Sequence, residues 1–263
     1  MSAVNGVPQD EKRPTLSRRE FTSGMASSVL VYGLLEMLWS RGLFADAVKP
    51  IVNQWFHELY TTGQDLYGQK LKDTEFQAKL EELLRRADLQ ELVKFVDLDK
   101  IASTAKLPQT GALSTSFDLA QVEGLPAELN FGRQIFCMGK SRAVVPHGHE
   151  NMVTGFIVLK GSFHGRHYDR LESHADHYII RPTIDDTFGA GGVSTISDHK
   201  DNVHWFQCDS ETGFIFNAHF MDYDPTISEP SGRLYLDPDG EKLAGGLIKA
   251  PKMDWDSSHA KYG

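Results

Sequence analysis

His147 and His149 stand two residues apart in Pro146-His147-Gly148-His149, and His204 sits in a later segment, Val203-His204-Trp205-Phe206. Successive side chains on a β-strand point to opposite faces, so histidines spaced i, i+2 point the same way. Two imidazoles side by side, joined by a third from a later strand, make a three-nitrogen claw for a divalent metal. Nine of the 11 histidines fall between His147 and His219. Clustering alone says little, because surface histidines are common; the spacing is the stronger signal.

A claw of this kind needs strands to hold it, and the chain supplies them in its second half. From 48 to 105 the pattern is helical instead. Ile51, Trp55 and Leu59 recur every four residues, and Leu80, Leu83, Leu84 and Ala87 continue the stripe. Asp73 reads as the N-cap of one helix, and Asp88 with Glu91 as a capping box for another. Three or four short helices with a packing role are expected, and His57 is read as a helix-surface residue. Lys106 to Gly124 is a connector containing Pro, Gly, Ser and Thr. Short apolar runs follow at Gln134–Met138, Val153–Leu159, Ser162–Tyr168, His177–Ile180, Val203–Gln207, Phe214–Phe220 and Leu234–Leu236, with turn residues between them. That is the signature of an all-β sandwich or barrel. The expected architecture is mainly β, a double-sheet jelly roll over residues 106–263, preceded by the helical segment. From Asp224 onward a turn-rich tail is expected to wrap the barrel.

The net charge of -9 argues against sequence-independent nucleic-acid binding, which needs a basic surface. Hydrophobic residues at 40% and charged residues at 24% are ordinary for a globular chain. The amino terminus reads differently. Ser17-Arg18-Arg19-Glu20-Phe21, a weakly hydrophobic run from Thr22 to Trp39 and then Ala45-Asp46-Ala47 come in the order of a twin-arginine export signal over residues 1–47. Glu36, Gly24 and Gly33 make the run a poor membrane anchor. The implied partner is the twin-arginine export machinery, the implied destination the periplasm or the outside, and the only membrane contact an uncleaved signal. An amphipathic helix that starts with two exposed arginines is the alternative, and it leaves the protein cytoplasmic. Cys137 and Cys208 lie inside strand-like sequence and read as buried free thiols rather than a disulfide framework.

His-x-His on a strand, a Gly-bounded hairpin at Lys160-Gly161-Ser162 and a lone histidine on a later strand resemble the metal pattern of the cupins. Ile135 to His149 is similar to the metal-binding strand of the thiol dioxygenases, the group of cysteine dioxygenase and the plant cysteine oxidases. Leu159 to Asp169, Val203-His204-Trp205 and Phe216 to Phe220 resemble the strands that follow in that group. The likeness covers roughly residues 130–225. It implies a cupin barrel in which His147, His149 and His204 hold iron(II), with a small thiol and O2 as reactants and a sulfinate as product. Ordinary cupins add a glutamate four or five residues after the second histidine, where this chain has Val153 and Thr154. Glu150, by alternation, points away. An all-histidine set leaves the full dipositive charge on the metal, which favours an anionic thiolate. Zinc would bind such a set equally well but does no one-electron chemistry.

The same resemblance makes His219 a catalytic candidate, because it matches a histidine that lies beside the active site of cysteine dioxygenase within Ser-x-His-x-Tyr. This chain reads Asn217-Ala218-His219-Phe220-Met221, so the serine and the tyrosine are both replaced, and Tyr223 is the nearest phenol. Arg133, Arg142 and Arg166 offer bidentate forks to a substrate carboxylate, with Arg133 and Arg166 the chosen pair. His164 and His167 lie on opposite faces of one strand, so at most one faces the site, while His174, His177 and His199 read as solvated. Three readings remain open: the thiol dioxygenase; a manganese, nickel or zinc cupin acting as an isomerase or lyase; and a barrel that binds a ligand without catalysis.

Overall fold

A computed structural model describes residues 43–228 and 231–263, with side chains from Val52 onward. The twin-arginine motif and the run behind it lie outside the described residues. The chain divides into two compact units, Met1–Lys49 and Pro50–Gly263, and every side chain described belongs to the second. No helix among the described residues is long and apolar enough to cross a membrane.

Among the described residues four helices come first: α1 (Leu43–Tyr67), α2 (Asp73–Arg85), α3 (Leu89–Phe95) and α4 (Leu98–Thr104). The apolar stripe is the reason they pack. Trp55, Phe56 and Leu59 of α1 and Leu80, Leu83 and Leu84 of α2 are buried together, and Trp55 Nε1 donates to the Leu83 carbonyl at 2.8 Å. Asp88 caps α3 as expected, accepting from the amides of Gln90 and Glu91 at 3.0 and 3.1 Å. The expected cap at Asp73 is corrected. Lys72 is the N-cap of α2, and the Asp73 carboxylate instead accepts from the backbone amide and Nδ1 of His199 at 3.1 and 2.9 Å.

Among the described residues twelve strands form two antiparallel sheets. The first has five strands in the order β1 (Leu113–Thr115), β2 (Gly132–Gly139), β9 (Thr212–Met221), β4 (Met152–Lys160), β7 (Val193–Ile196). The second has seven, in the order β10 (Gly232–Tyr235), β3 (Ala143–Glu150), β8 (Val203–Cys208), β5 (Ser162–Ser173), β6 (His177–Gly189), β12 (Ile248–Pro251), β11 (Glu241–Lys242). Between them lies a core of Phe136, Val144, Phe156, Phe163, Phe206 and Ile215. The fold is thus the mainly β, double-sheet jelly roll behind a short helical segment that the sequence predicts.

The five-stranded sheet is covered on its other face by the helices, and its strands divide residue by residue. On β9, Phe214, Phe216, Ala218 and Phe220 pack toward the helices, whereas Ile215 enters the inter-sheet core and Asn217, His219 and Met221 line a cavity. Ile135 and Cys137 of β2 face the helices while Phe136 and Met138 face the barrel. α2 packs against β4 so closely that a Cβ on Gly155 would stand 2.6 Å from Leu84 Cδ1. The tail does more than wrap. β10 extends the second sheet beside β3, β12 joins β6, and a last helix, α5 (Trp255–Tyr262), sets Tyr262 against Trp205 with ring centroids 5.0 Å apart.

Candidate metal centre

β3 and β8 run antiparallel with His147 directly opposite His204, so alternation brings His147, His149 and His204 to one face. All three are buried, at 1%, 4% and 1% exposure. One nitrogen from each lies within 4.8 Å of the other two. Gly148 is needed between the pair, because a Cβ there would stand 2.6 Å from Asn202 Oδ1. Asn202 in turn ties the end of β3 to the β7–β8 loop, donating to the carbonyls of His149 and Ser197 at 2.9 and 3.3 Å.

The electrostatics suit a metal. His147 Nδ1 lies 2.7 Å from the Val145 carbonyl; a carbonyl only accepts, so Nδ1 carries the proton and Nε2 keeps its lone pair. Nδ1 of His149 and Nδ1 of His204 are buried without a hydrogen-bond partner. Burial pushes the pKa of all three histidines down, that of His149 to about 3, with the Arg233 guanidinium and the neighbouring imidazoles adding to the effect. The rings are therefore neutral at pH 7, the form that ligates. Glu150 points away from the triad, toward a separate surface groove, and among the described residues no carboxylate lines the cavity around it. The three residues fit a divalent metal held by nitrogen alone.

The cavity has a volume of ≈ 190 Å³. The triad forms its wall on the seven-stranded side. Gln134, Thr154, Asn217 and His219 form the wall on the five-stranded side, Phe136, Val144 and Phe156 supply apolar surface, and Met152, Met221 and Arg233 complete it. Met221 is 41% exposed, which marks the opening to solvent.

Of the residues predicted to act, the structure gathers His147, His149, His204 and His219 around this space. Tyr223 is not among them. It packs in the core beneath the helices and donates its hydroxyl to Asp198 Oδ2 at 3.1 Å. Arg133 and Arg166 are corrected by strand parity. Arg133 follows Gly132 on the helix side of β2, with its guanidinium 6.0 Å from the Phe117 ring. Arg166 lies on the outer face of β5 over Trp205 at 4.5 Å and beside Asp185. His164 shares that outer face and pairs with Asp185. His167, of opposite parity, is buried against Phe188 and Phe206, with Nε2 3.0 Å from Ser194 Oγ. His174 and His177 pair with Glu172 and Asp176. His57 ties α1 to the connector through the Glu123 carbonyl at 2.7 Å. Cys137 and Cys208 are free and buried, burial raising Cys137 to about 11.

Three cavity-lining residues escape the sequence reading. Arg233 sits opposite His149 on β10; its one sequence signal is the alternation Arg233, Tyr235 in a strand expected to begin at Leu234. Gln134 and Asn217 are hidden in runs that read as apolar on both faces.

No protein-family model matches the chain, and no curated protein matches it. Solved structures do. The chain is similar to recombinant oxalate oxidase in complex with glycolate, at 16% identity over 50% of this chain and 62% of that one, with a TM-score of 0.34. It is similar to procruciferin, an 11S globulin from Brassica napus, at 12% identity over 41% and 23% of the two chains, TM-score 0.31. A chain of the Rhodobacter sphaeroides SigE complex with the anti-sigma ChrR matches at 18% identity over 49% and 54%, TM-score 0.31. The matched part spans less than two thirds of each of these chains.

Proposed function

We propose that the chain is a non-haem iron(II) dioxygenase that adds both atoms of O2 to the sulfur of a small thiol bearing an anionic group. The charge of the cavity supports this reading: three neutral imidazoles and Arg233 line it, and no carboxylate of the described residues does. A dication held by neutral donors keeps its full charge, and beside an arginine it favours a doubly anionic ligand such as a carboxylated thiolate. Iron(II) held by His147, His149 and His204 would supply the redox chemistry that joins O2 to sulfur, RS⁻ + O2 → RSO2⁻, which needs no outside reductant.

The chain's own residues do the rest. Arg233 presents a fork to the carboxylate at the cavity mouth, where it fixes which end of the substrate enters first. Phe136, Val144 and Phe156 keep water away from the reacting end. Gln134 and His219 face the substrate from the opposite sheet. The twin-arginine motif at Ser17 to Phe21 supports an exported location, with metal acquired before export because that route carries folded protein.

The test is metal content followed by oxygen uptake. Protein reconstituted anaerobically with iron is expected to consume O2 with carboxylated thiols and to yield the sulfinate by mass spectrometry. Full iron loading without oxygen consumption removes the dioxygenase reading. Retention of manganese, nickel or zinc by such a protein points to the isomerase or lyase alternative. For location, an Arg18→Lys, Arg19→Lys double substitution should stop export of a reporter fusion.

A further inference from the structure

The wall opposite the triad carries a chain of hydrogen bonds in which every donor can be assigned. Asn217, 2% exposed, places Nδ2 2.5 Å from Thr154 Oγ1 and 3.2 Å from the Gly155 carbonyl. A backbone carbonyl only accepts, so that end of the amide is the NH2 group. Thr154 spends its own proton on the Ala218 carbonyl at 3.0 Å, which leaves its oxygen to accept from Asn217. The Asn217 Oδ1 end faces Gln134 Nε2 at 3.1 Å and His219 Nδ1 at 3.2 Å. Gln134 is oriented in turn by Ser114, whose hydroxyl donates to Oε1 at 2.5 Å. An amide oxygen cannot donate, so the proton between Asn217 and His219 belongs to the histidine.

We propose that Asn217 is a positioning residue that locks His219 in its Nδ1–H tautomer and leaves Nε2 as the lone-pair nitrogen offered to a ligand in the cavity. Nε2 makes no hydrogen bond among the described residues, and His219 lines the cavity. The ring lies across Gly132, where any Cβ would overlap it, so its plane is held as well as its tautomer. Neutral imidazole in solution prefers the proton on the other nitrogen, so the lock reverses a default. Arg233 and His149 are the charged or titratable groups that face the ring, and Arg233 together with burial keeps it neutral. The ligand class is an X–H donor. Its identity as the substrate's S–H, before the thiolate forms, rests on the dioxygenase reading, whereas the tautomer rests on the hydrogen bonds alone.

Long-range ¹H–¹⁵N correlation of histidine-labelled, metal-free protein at neutral pH reads the tautomer directly, with the His219 signals assigned by their loss in His219→Phe. The expected spectrum has a protonated Nδ1 and a bare Nε2. A protonated Nε2 in the wild type overturns the proposal. Asn217→Leu should release the ring to the Nε2–H form, and Asn217→Asp, which still accepts, should keep Nδ1–H. An Asn217→Leu protein that folds, by circular dichroism and melting, yet keeps Nδ1–H also overturns it. With iron and a thiol substrate, Asn217→Leu should lower kcat by roughly tenfold or more at unchanged iron content. An unchanged kcat alongside a switched tautomer overturns the acceptor role. Failure of the oxygenase assay itself leaves the spectroscopic result standing, so the two readings fail separately.

Discussion

Arg233 lies directly across the β10–β3 ladder from His149, and opposed residues on an antiparallel pair share a face. The one guanidinium among the described residues that lines the cavity is therefore fixed in register with a histidine of the triad.

Replacing Arg233 should separate binding from chemistry. A charged hydrogen bond is worth about 1.5–3 kcal/mol, so Arg233→Leu should raise KM for carboxylated thiols about tenfold to a hundredfold and leave thiols without a carboxylate nearly unaffected. Steady-state kinetics with matched thiol pairs checks this, and an equal loss for both members of a pair contradicts it.

Metal removal should destabilise the protein as well as silence it. A ligand present at 100 times its Kd stabilises a fold by about 2.7 kcal/mol. Chelation should lower the wild-type Tm by several degrees and leave the Tm of His147→Ala unmoved. Differential scanning fluorimetry with and without chelator measures both.

The buried histidines set an acid limit on the metal-free fold. His149 and His167 are held at about 3 by burial, far below the ordinary 6.5. A depressed folded pKa means that the unfolded chain takes the proton first, so stability is full above about 6.5 and is lost as the pH falls toward 3. Asp198, raised by its own burial, works in the opposite direction, so single-site comparison is needed. His167→Phe, which offers a similar ring to Phe188 and Phe206, should remove about 2 kcal/mol of the loss between pH 7.5 and pH 5. Urea melts at the two pH values test this; parallel losses in wild type and variant contradict it.

Tyr223 gives a control for the site. Tyr223→Phe takes a hydrogen bond from the half-buried Asp198 carboxylate, at a cost of about 1–3 kcal/mol. Iron content and KM should stay at wild-type values. A loss of kcat greater than the loss of folded protein would restore the phenol to the chemistry.

Gly155 tests the join between helices and barrel. Gly155→Val drives a side chain into Leu84 and Leu80 and should cost about 1–3 kcal/mol by overpacking, read as a lower urea midpoint at an unchanged slope.

The triad was legible because it needs only the period-two rule. His147 and His149 share a face by spacing, and parity also sent Glu150 away from them. The same rule was unusable on β2 and β9. Helices cover one face of that sheet and the barrel core the other, so Gln134–Met138 and Phe214–Phe220 are apolar on both sides and show no alternation from which to read a direction. Arg133, offered as a partner for a substrate carboxylate, thus gave no sign that it faces the helices, and Asn217 passed as part of a core strand. Arg233 was missed for another reason. Its strand has four residues in a turn-rich tail, and only pairing with β3 gives them a direction. The Lys72 cap escaped because Asp73 is held by His199, a partner distant in sequence.

β3 and β8 are each paired on both sides, but β10 is the edge of its sheet and is held by β3 alone. An edge strand can be shortened, exchanged or rewritten while every ladder on its far side survives, because there is none to break. The histidine triad thus occupies the least negotiable strands and Arg233 the most replaceable one. Descendants of this barrel can change what they accept by altering a few residues of the tail, and inherit the triad intact.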